Sequence, residues 1–75
     1  MKLSRSQQDV LNKMADGWGL WSGQNTGLWK DEWFVSVRRT TVKILHLSGF
    51  IQVREFGQPT SYALTNKGRE YAVPQ

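Results

Sequence analysis

The chain has 75 residues, no cysteine and a formal net charge of +4 at pH 7, a length that corresponds to a single small domain over residues 1–75. The absence of cysteine excludes disulfides and thiolate metal sites and is typical of a reducing compartment. The first residues, MKLSRSQQDV, contain no apolar run like that of a signal peptide, and no segment approaches the length of a membrane span. We therefore expect a cytoplasmic domain with no membrane partner.

The positive charge is concentrated in the second half of the chain. Residues 1–35 contain four basic and four acidic side chains, whereas residues 36–75 contain six basic and two acidic ones. The excess begins with the segment SVRRTTVKILHLSGFI, residues 36–51. A local excess of positive charge attracts polyanions, so this half of the chain is the predicted nucleic-acid-binding region.

The first predicted element is an α-helix that begins at Ser4. Ser4 is a good N-cap residue, and Gln7, three positions later, completes a capping box. Val10 and Met14 then recur at helical spacing. Gly17 is expected to end the helix, because glycine adopts the left-handed terminating conformation without strain.

The region Trp18–Phe34 is rich in tryptophan. Its aromatic pieces WGLW and GLWKDEWF are separated by the turn-rich SGQNTG. Aromatic side chains fit a pleated surface, so the region is predicted to form a β-hairpin. A short irregular helix over Lys30–Phe34 is the competing interpretation.

A second helix is predicted over residues 36–47, with Ser36 as its N-cap and Gly49 as its terminator. A helical wheel that starts at Val37 predicts one apolar core stripe, formed by Val37, Thr41, Ile44 and Leu45. Arg39, Lys43 and His46 fall on the side opposite this stripe, with Arg38 and Thr40 beside them.

The last part of the chain reads as two strands and a short helix. FIQVREF and SYAL alternate between apolar and polar residues, and GQPT between them supplies a turn. Thr65 is the predicted N-cap of a helix over NKGREYA, in which Tyr71 points inward. Gly68 is an unfavourable residue inside that helix.

Three segments resemble winged helix-turn-helix domains. TVKILHLSGFI is similar to the end of their recognition helix, YALTNKG to the motif that closes the wing in MarR-like regulators, and LSRSQQDVLNKM to their opening helix. The resemblance implies an α+β winged helix with a Trp-rich hairpin or irregular segment in place of the usual second helix. In this respect the chain resembles minimal winged-helix proteins of phages and bacteria.

The resemblance also implies a function, binding of double-stranded DNA without enzymatic activity. A small transcriptional or mobile-element regulator would insert helix 36–47 into the major groove. The expected DNA contacts are Arg38, Arg39, Thr40, Lys43 and His46, with Arg54 supporting them from a wing whose turn is Gly57–Thr60. Useful specificity would require a homodimer or a bound partner.

The tryptophans leave two alternatives open. They can supply the core that the missing helix would provide. Alternatively, Trp21, Trp29 and Trp33 remain exposed and bind a protein partner, as expected of a non-enzymatic interaction module such as a phage inhibitor or adaptor. No cofactor is expected, and the lone His46 does not predict a metal site.

Overall fold

The computed structural model describes residues 2–73 as an α+β domain of three helices and a five-stranded antiparallel sheet. The elements are α1 (Arg5–Ala15), β1 (Gly19–Ser22), β2 (Gly27–Lys30), β3 (Trp33–Ser36), α2 (Arg39–Leu47), β4 (Ile51–Glu55), β5 (Thr60–Leu64) and α3 (Asn66–Tyr71). The strand order is β3-β2-β1-β5-β4. In this part of the chain no helix has both the length and the apolar character needed to cross a bilayer.

Helix α1 begins and ends where the sequence predicts. The Gln7 amide donates to Ser4 Oγ at 3.2 Å, and the Ser4 amide donates to Gln7 Oε1 at 2.9 Å, which forms the expected capping box. Gly17 has a φ of 100° and its amide donates to the Met14 carbonyl, so the glycine terminator is also confirmed.

The Trp-rich region forms three strands. The predicted hairpin is present as β1 and β2, in which Leu20 pairs with Leu28. A third strand, which the sequence interpretation did not anticipate, continues the sheet by pairing Val35 with Leu28. The competing helix over Lys30–Phe34 is wrong, because a tight turn at Asp31, with a φ of 54°, reverses the chain there.

The core lies between the helices and one face of the sheet. It consists of Val10, Leu11, Leu20, Leu28, Val42, Leu45, Phe50, Ile51 and Leu64. Trp18 packs against its edge, but no tryptophan belongs to the buried cluster. The expectation that the tryptophans replace the missing helix in the core is therefore wrong for most of them. Because Leu20 and Leu28 occupy the inward positions of β1 and β2, Trp21 and Trp29 must face the other way.

Helix α2 starts three residues later than predicted. Ser36 is not its N-cap, since it is the last residue of β3 and pairs with Gly27. The N-cap is Arg38, which has an extended backbone conformation and whose side chain makes no capping hydrogen bond. The ladder with β2 extends as far as the hydrogen bond from the Val37 amide to the Thr26 carbonyl, so sheet pairing outweighs local capping at this point.

The core-facing side of α2 is also rotated relative to the prediction. Val42 and Leu45 are buried, whereas Ile44 is 40% exposed. The predicted stripe is counted from Val37, which lies outside the helix and therefore does not set its rotation. The end of the helix is as expected, because Gly49 adopts a φ of 83° and its amide donates to the His46 carbonyl.

The last two strands form the predicted hairpin, followed by the predicted helix. The Gly68 amide donates to the Thr65 Oγ1 at 3.1 Å, so Thr65 is the N-cap of α3. Gly68 is buried directly against the Phe50 carbonyl, where a side chain has no room. Tyr71 is only partly inward, since it places its ring 5.0 Å from that of Phe50 but remains 40% exposed.

Candidate nucleic-acid interface

A groove runs between α2 and two loops at one end of the sheet. These loops are residues 23–26, between β1 and β2, and residues 56–59, between β4 and β5. The groove has a volume of about 410 Å³ and is lined by Ser22, Gly23, Arg39, Val42, Lys43, His46, Gly57, Gln58, Thr60 and Tyr62. It will be called the cationic groove.

Sheet pairing brings the two loops together. Ser22, the last residue of β1, pairs with Thr60, the first residue of β5. Each loop therefore leaves the sheet from a neighbouring position. Gly23 then lies against Pro59, where a Cβ on the glycine would come within 3.1 Å of the proline Cα. The groove thus has a wall of closely packed backbone opposite α2.

Two side chains of α2 make contacts across the groove, Arg39 with this wall and His46 with strand β5. Arg39 Nη2 donates to the Gly23 carbonyl at 2.9 Å, which holds the guanidinium across the groove. The other N–H donors of Arg39 have no hydrogen-bond partner within residues 2–73. The His46 ring lies edge-on to the Tyr62 ring, with centroids 5.8 Å apart. Arg39 is therefore held in place while most of its donors remain available to a ligand.

The groove carries positive charge with no acidic side chain in its lining. The two ion pairs among the described residues join Lys13 to Asp9 at 2.8 Å and Lys30 to Asp16 at 3.5 Å, both away from α2. The chain has no acidic residue between positions 33 and 54. The charges of Arg39 and Lys43 are thus available to an external anion.

The structure brings together three of the six residues predicted to contact DNA, namely Arg39, Lys43 and His46. They do not project from the side of α2 opposite the core, as expected, but from the side next to buried Val42. The exposed residues on the far side include Ile44 and Leu47, because the helix is rotated as described above.

The other three predicted DNA contacts lie elsewhere. Arg38 and Thr40 line a separate hollow beside the start of α1, together with Ser4 and Ser6. Arg54 lines a hollow near Gly19 and the end of α1, with Arg69. None of these three side chains lines the cationic groove.

The face of the sheet away from the helices carries an aromatic cluster, defined here as Trp21, Trp29 and Phe34. The Trp21 and Trp29 rings are nearly perpendicular, with centroids 6.5 Å apart, and Trp29 and Phe34 are 4.3 Å apart. Two glycines make room for the rings. A Cβ on Gly19 would lie 2.8 Å from Trp21 Nε1, and one on Gly27 would lie 2.7 Å from Phe34 Cζ.

An aromatic cleft opens beside this cluster. It has a volume of about 540 Å³ and is lined by Trp21, Gln24, Asn25, Trp29, Gln58 and Pro59. Trp33, the third tryptophan predicted to bind a partner, does not line the cleft and is 72% exposed at the start of β3.

Sequence reasoning missed the amide side chains Gln24, Asn25 and Gln58. The only sequence signal for these residues was the polar composition of SGQNTG and GQPT, which indicates two turns. It does not indicate that the loops 23–26 and 56–59 lie side by side. Within the described part of the chain, no group of three or more metal-ligating side chains occurs.

Comparison of the chain with protein-family models, with curated proteins and with solved structures finds no match.

Proposed function

We propose that this chain is a winged-helix protein that binds double-stranded DNA, with α2 as its recognition helix and the β4–β5 hairpin as its wing. The observation that carries the proposal is the cationic groove, in which Arg39 and Lys43 lie between α2 and the hairpin loop without any acidic neighbour in the lining. Such a protein would act as a small regulator of transcription or of a mobile element, without catalysis.

The order of elements supports the winged-helix part of the proposal. A capped first helix, a basic helix and a β-hairpin follow one another, and a short helix closes the chain. The hairpin strands β4 and β5 are joined to the rest of the sheet through β1. In place of the usual second helix the chain has the three Trp-rich strands β1 to β3, while α2 itself packs mainly against α1 and β4.

The proposed binding mode follows from the rotation of α2. Arg39, held by the Gly23 carbonyl, would contact a phosphate at the rim of the groove. Lys43 lies on the same side of the helix one turn later, and exposed Thr40 is one position from Arg39. In this mode Lys43 contacts a second phosphate and Thr40 reaches a base edge in the major groove, while Arg38 contacts the backbone near the helix N-terminus.

The test is the salt dependence of duplex binding. Arg39→Ala combined with Lys43→Ala should weaken binding and reduce the slope of log K against log salt by about 1.8, since each lost phosphate contact contributes about 0.9. Arg5→Ala combined with Arg69→Ala removes the same charge from exposed positions outside the groove and should leave the slope unchanged. Equal effects of the two double variants would show only general attraction and would refute the proposal.

A protein-interaction module is the second candidate function. The observation that favours it is the aromatic cluster on the uncovered face of the sheet, with Trp21 and Phe34 both exposed. Exposed aromatic side chains are common anchors of protein interfaces. In that case the Arg39 and Lys43 double variant would bind duplex DNA as the unmodified chain does, and a partner would be lost on replacing Trp21.

A further inference from the structure

The aromatic cleft and the cationic groove are neighbours that share a wall. Gln58 lines both of them. Gly23 connects them through its backbone, since its carbonyl accepts the hydrogen bond from Arg39 on one side while its Cα packs against Pro59 on the other. A single extended ligand can therefore occupy both sites by crossing the two loops.

We infer that the aromatic cleft binds an unpaired nucleobase of a nucleic acid whose double-stranded part lies in the cationic groove. The inference rests on the proposed function for the groove. Base binding in the cleft would give the proposed DNA-binding protein a preference for duplexes that carry a single-stranded extension.

The chemistry of the cleft matches a nucleobase. The perpendicular rings of Trp21 and Trp29 give a flat ligand one stacking surface and one side wall. The side-chain amides of Gln24, Asn25 and Gln58 each offer both donors and acceptors, as the exposed edges of unpaired bases do. The cleft volume of about 540 Å³ is within the range of small-ligand sites, roughly 300–1,000 Å³.

The charge distribution favours a nucleic acid over other ligands that stack on aromatic rings. The lining of the cleft contains no charged residue, whereas the adjoining groove is cationic. A nucleic acid combines an uncharged ring with an anionic backbone and so matches both surfaces. A proline-rich peptide or a sugar chain would match only the cleft and would leave Arg39 and Lys43 unused.

The experiment compares three ligands of the same paired length. These are a blunt duplex, the duplex with a short single-stranded tail, and the duplex with a tail of abasic sugar-phosphate units. The abasic tail has the same phosphate charges but no bases, so any difference between the two tails reports stacking. Dissociation constants are measured by fluorescence anisotropy for the unmodified chain, for Trp21→Ala and for Trp33→Ala, which removes an exposed tryptophan outside the cleft.

We expect the base-bearing tail to bind at least about five-fold more tightly than the abasic tail, since one stacked base contributes about 1 kcal/mol or more. Trp33→Ala should keep this difference and Trp21→Ala should abolish it. Equal binding of the two tails by the unmodified chain would overturn the inference. So would a difference that survives Trp21→Ala, or a polyproline peptide that binds the cleft more tightly than the base-bearing tail.

A second readout is independent of any substitution. Stacking on Trp21 should quench the intrinsic fluorescence of the unmodified chain more with the base-bearing tail than with the abasic tail, and equal quenching would contradict the inference. The two proposals fail differently. If Arg39→Ala with Lys43→Ala weakens blunt-duplex binding while the tails bind equally, only the inference about the cleft is wrong. If that double variant changes none of the three constants, the proposed function is wrong.

Discussion

Replacing Gly68 with alanine should destabilise the domain, although alanine is the better helix former by about 1 kcal/mol. Gly68 lies inside α3, where an added Cβ would press on the Phe50 carbonyl oxygen. It would also lie 3.0 Å from the Phe50 carbonyl carbon and 3.1 Å from Leu64 Cδ2. A backbone carbonyl cannot turn aside as the end of a flexible side chain can, so the helix itself must move.

The magnitude follows from what fixes α3 in place. The Thr65 amide donates to the Phe50 carbonyl at 3.1 Å, and Thr65 Oγ1 donates to the Gly49 carbonyl at 2.6 Å. Overpacking of this kind costs about 1–3 kcal/mol, and weakening one such hydrogen bond costs about 1 kcal/mol. After subtraction of the gain in helix propensity, the net loss is about 2 kcal/mol. For a chain of this length that corresponds to a fall in Tm of about 8–16 °C.

The assay is equilibrium unfolding in urea, followed by tryptophan fluorescence, with thermal unfolding as a second measure. Glu70→Ala is the matched control, because Glu70 is exposed in the same helix and should change stability by less than about 0.5 kcal/mol. A Gly68→Ala variant as stable as the unmodified chain, or more stable, would refute the packing argument and leave helix propensity as the dominant effect.

Ser4→Ala removes the capping box of α1 and should destabilise the domain by about 1 kcal/mol in thermal unfolding, while Ser6→Ala, at an exposed position in the same turn, should have almost no effect. Similar losses for both variants would argue against a specific cap. Gly27→Ala places a Cβ 2.5 Å from the Val35 carbonyl oxygen and 2.7 Å from Phe34 Cζ, and should destabilise by about 1–3 kcal/mol. Phe34→Ala in the same chain should relieve part of this loss, so strictly additive effects in urea unfolding would contradict the proposed ring-over-glycine packing.

Signals that act within a few residues predicted most of the helix ends well. The capping box at Ser4, the N-cap at Thr65 and the terminator at Gly49 are all present. Each depends on a hydrogen bond or a backbone angle that the adjacent sequence determines. The predicted start of α2 was wrong because Ser36 pairs with Gly27 across the β2–β3 hairpin, and this strand pairing outweighs its local preference for a helix N-cap.

In the candidate site too, features set by local spacing were predicted and features set by strand register were not. The spacing of four and three residues from Arg39 to Lys43 to His46 predicted that these side chains share one side of a helix, and they line one groove. That Arg54 lies elsewhere and Gln58 lies close by depends on strand register, which the sequence does not encode locally. The outward position of Trp21 was one of two alternatives left open, because WGLW does not show which residue takes the core position; the structure gives it to Leu20.

The two ends of the described chain are fastened to each other. Gln8 Nε2 donates to the Tyr71 carbonyl at 2.7 Å, and the Val73 amide donates to Asn12 Oδ1 at 2.8 Å. During synthesis on the ribosome, α1 must therefore wait for residue 73 before these bonds can form. Contacts between such distant positions slow folding, because the intervening chain loses conformational entropy before the stabilising contacts form. The docking of α1 against the C-terminal segment is therefore expected to be a late step in folding.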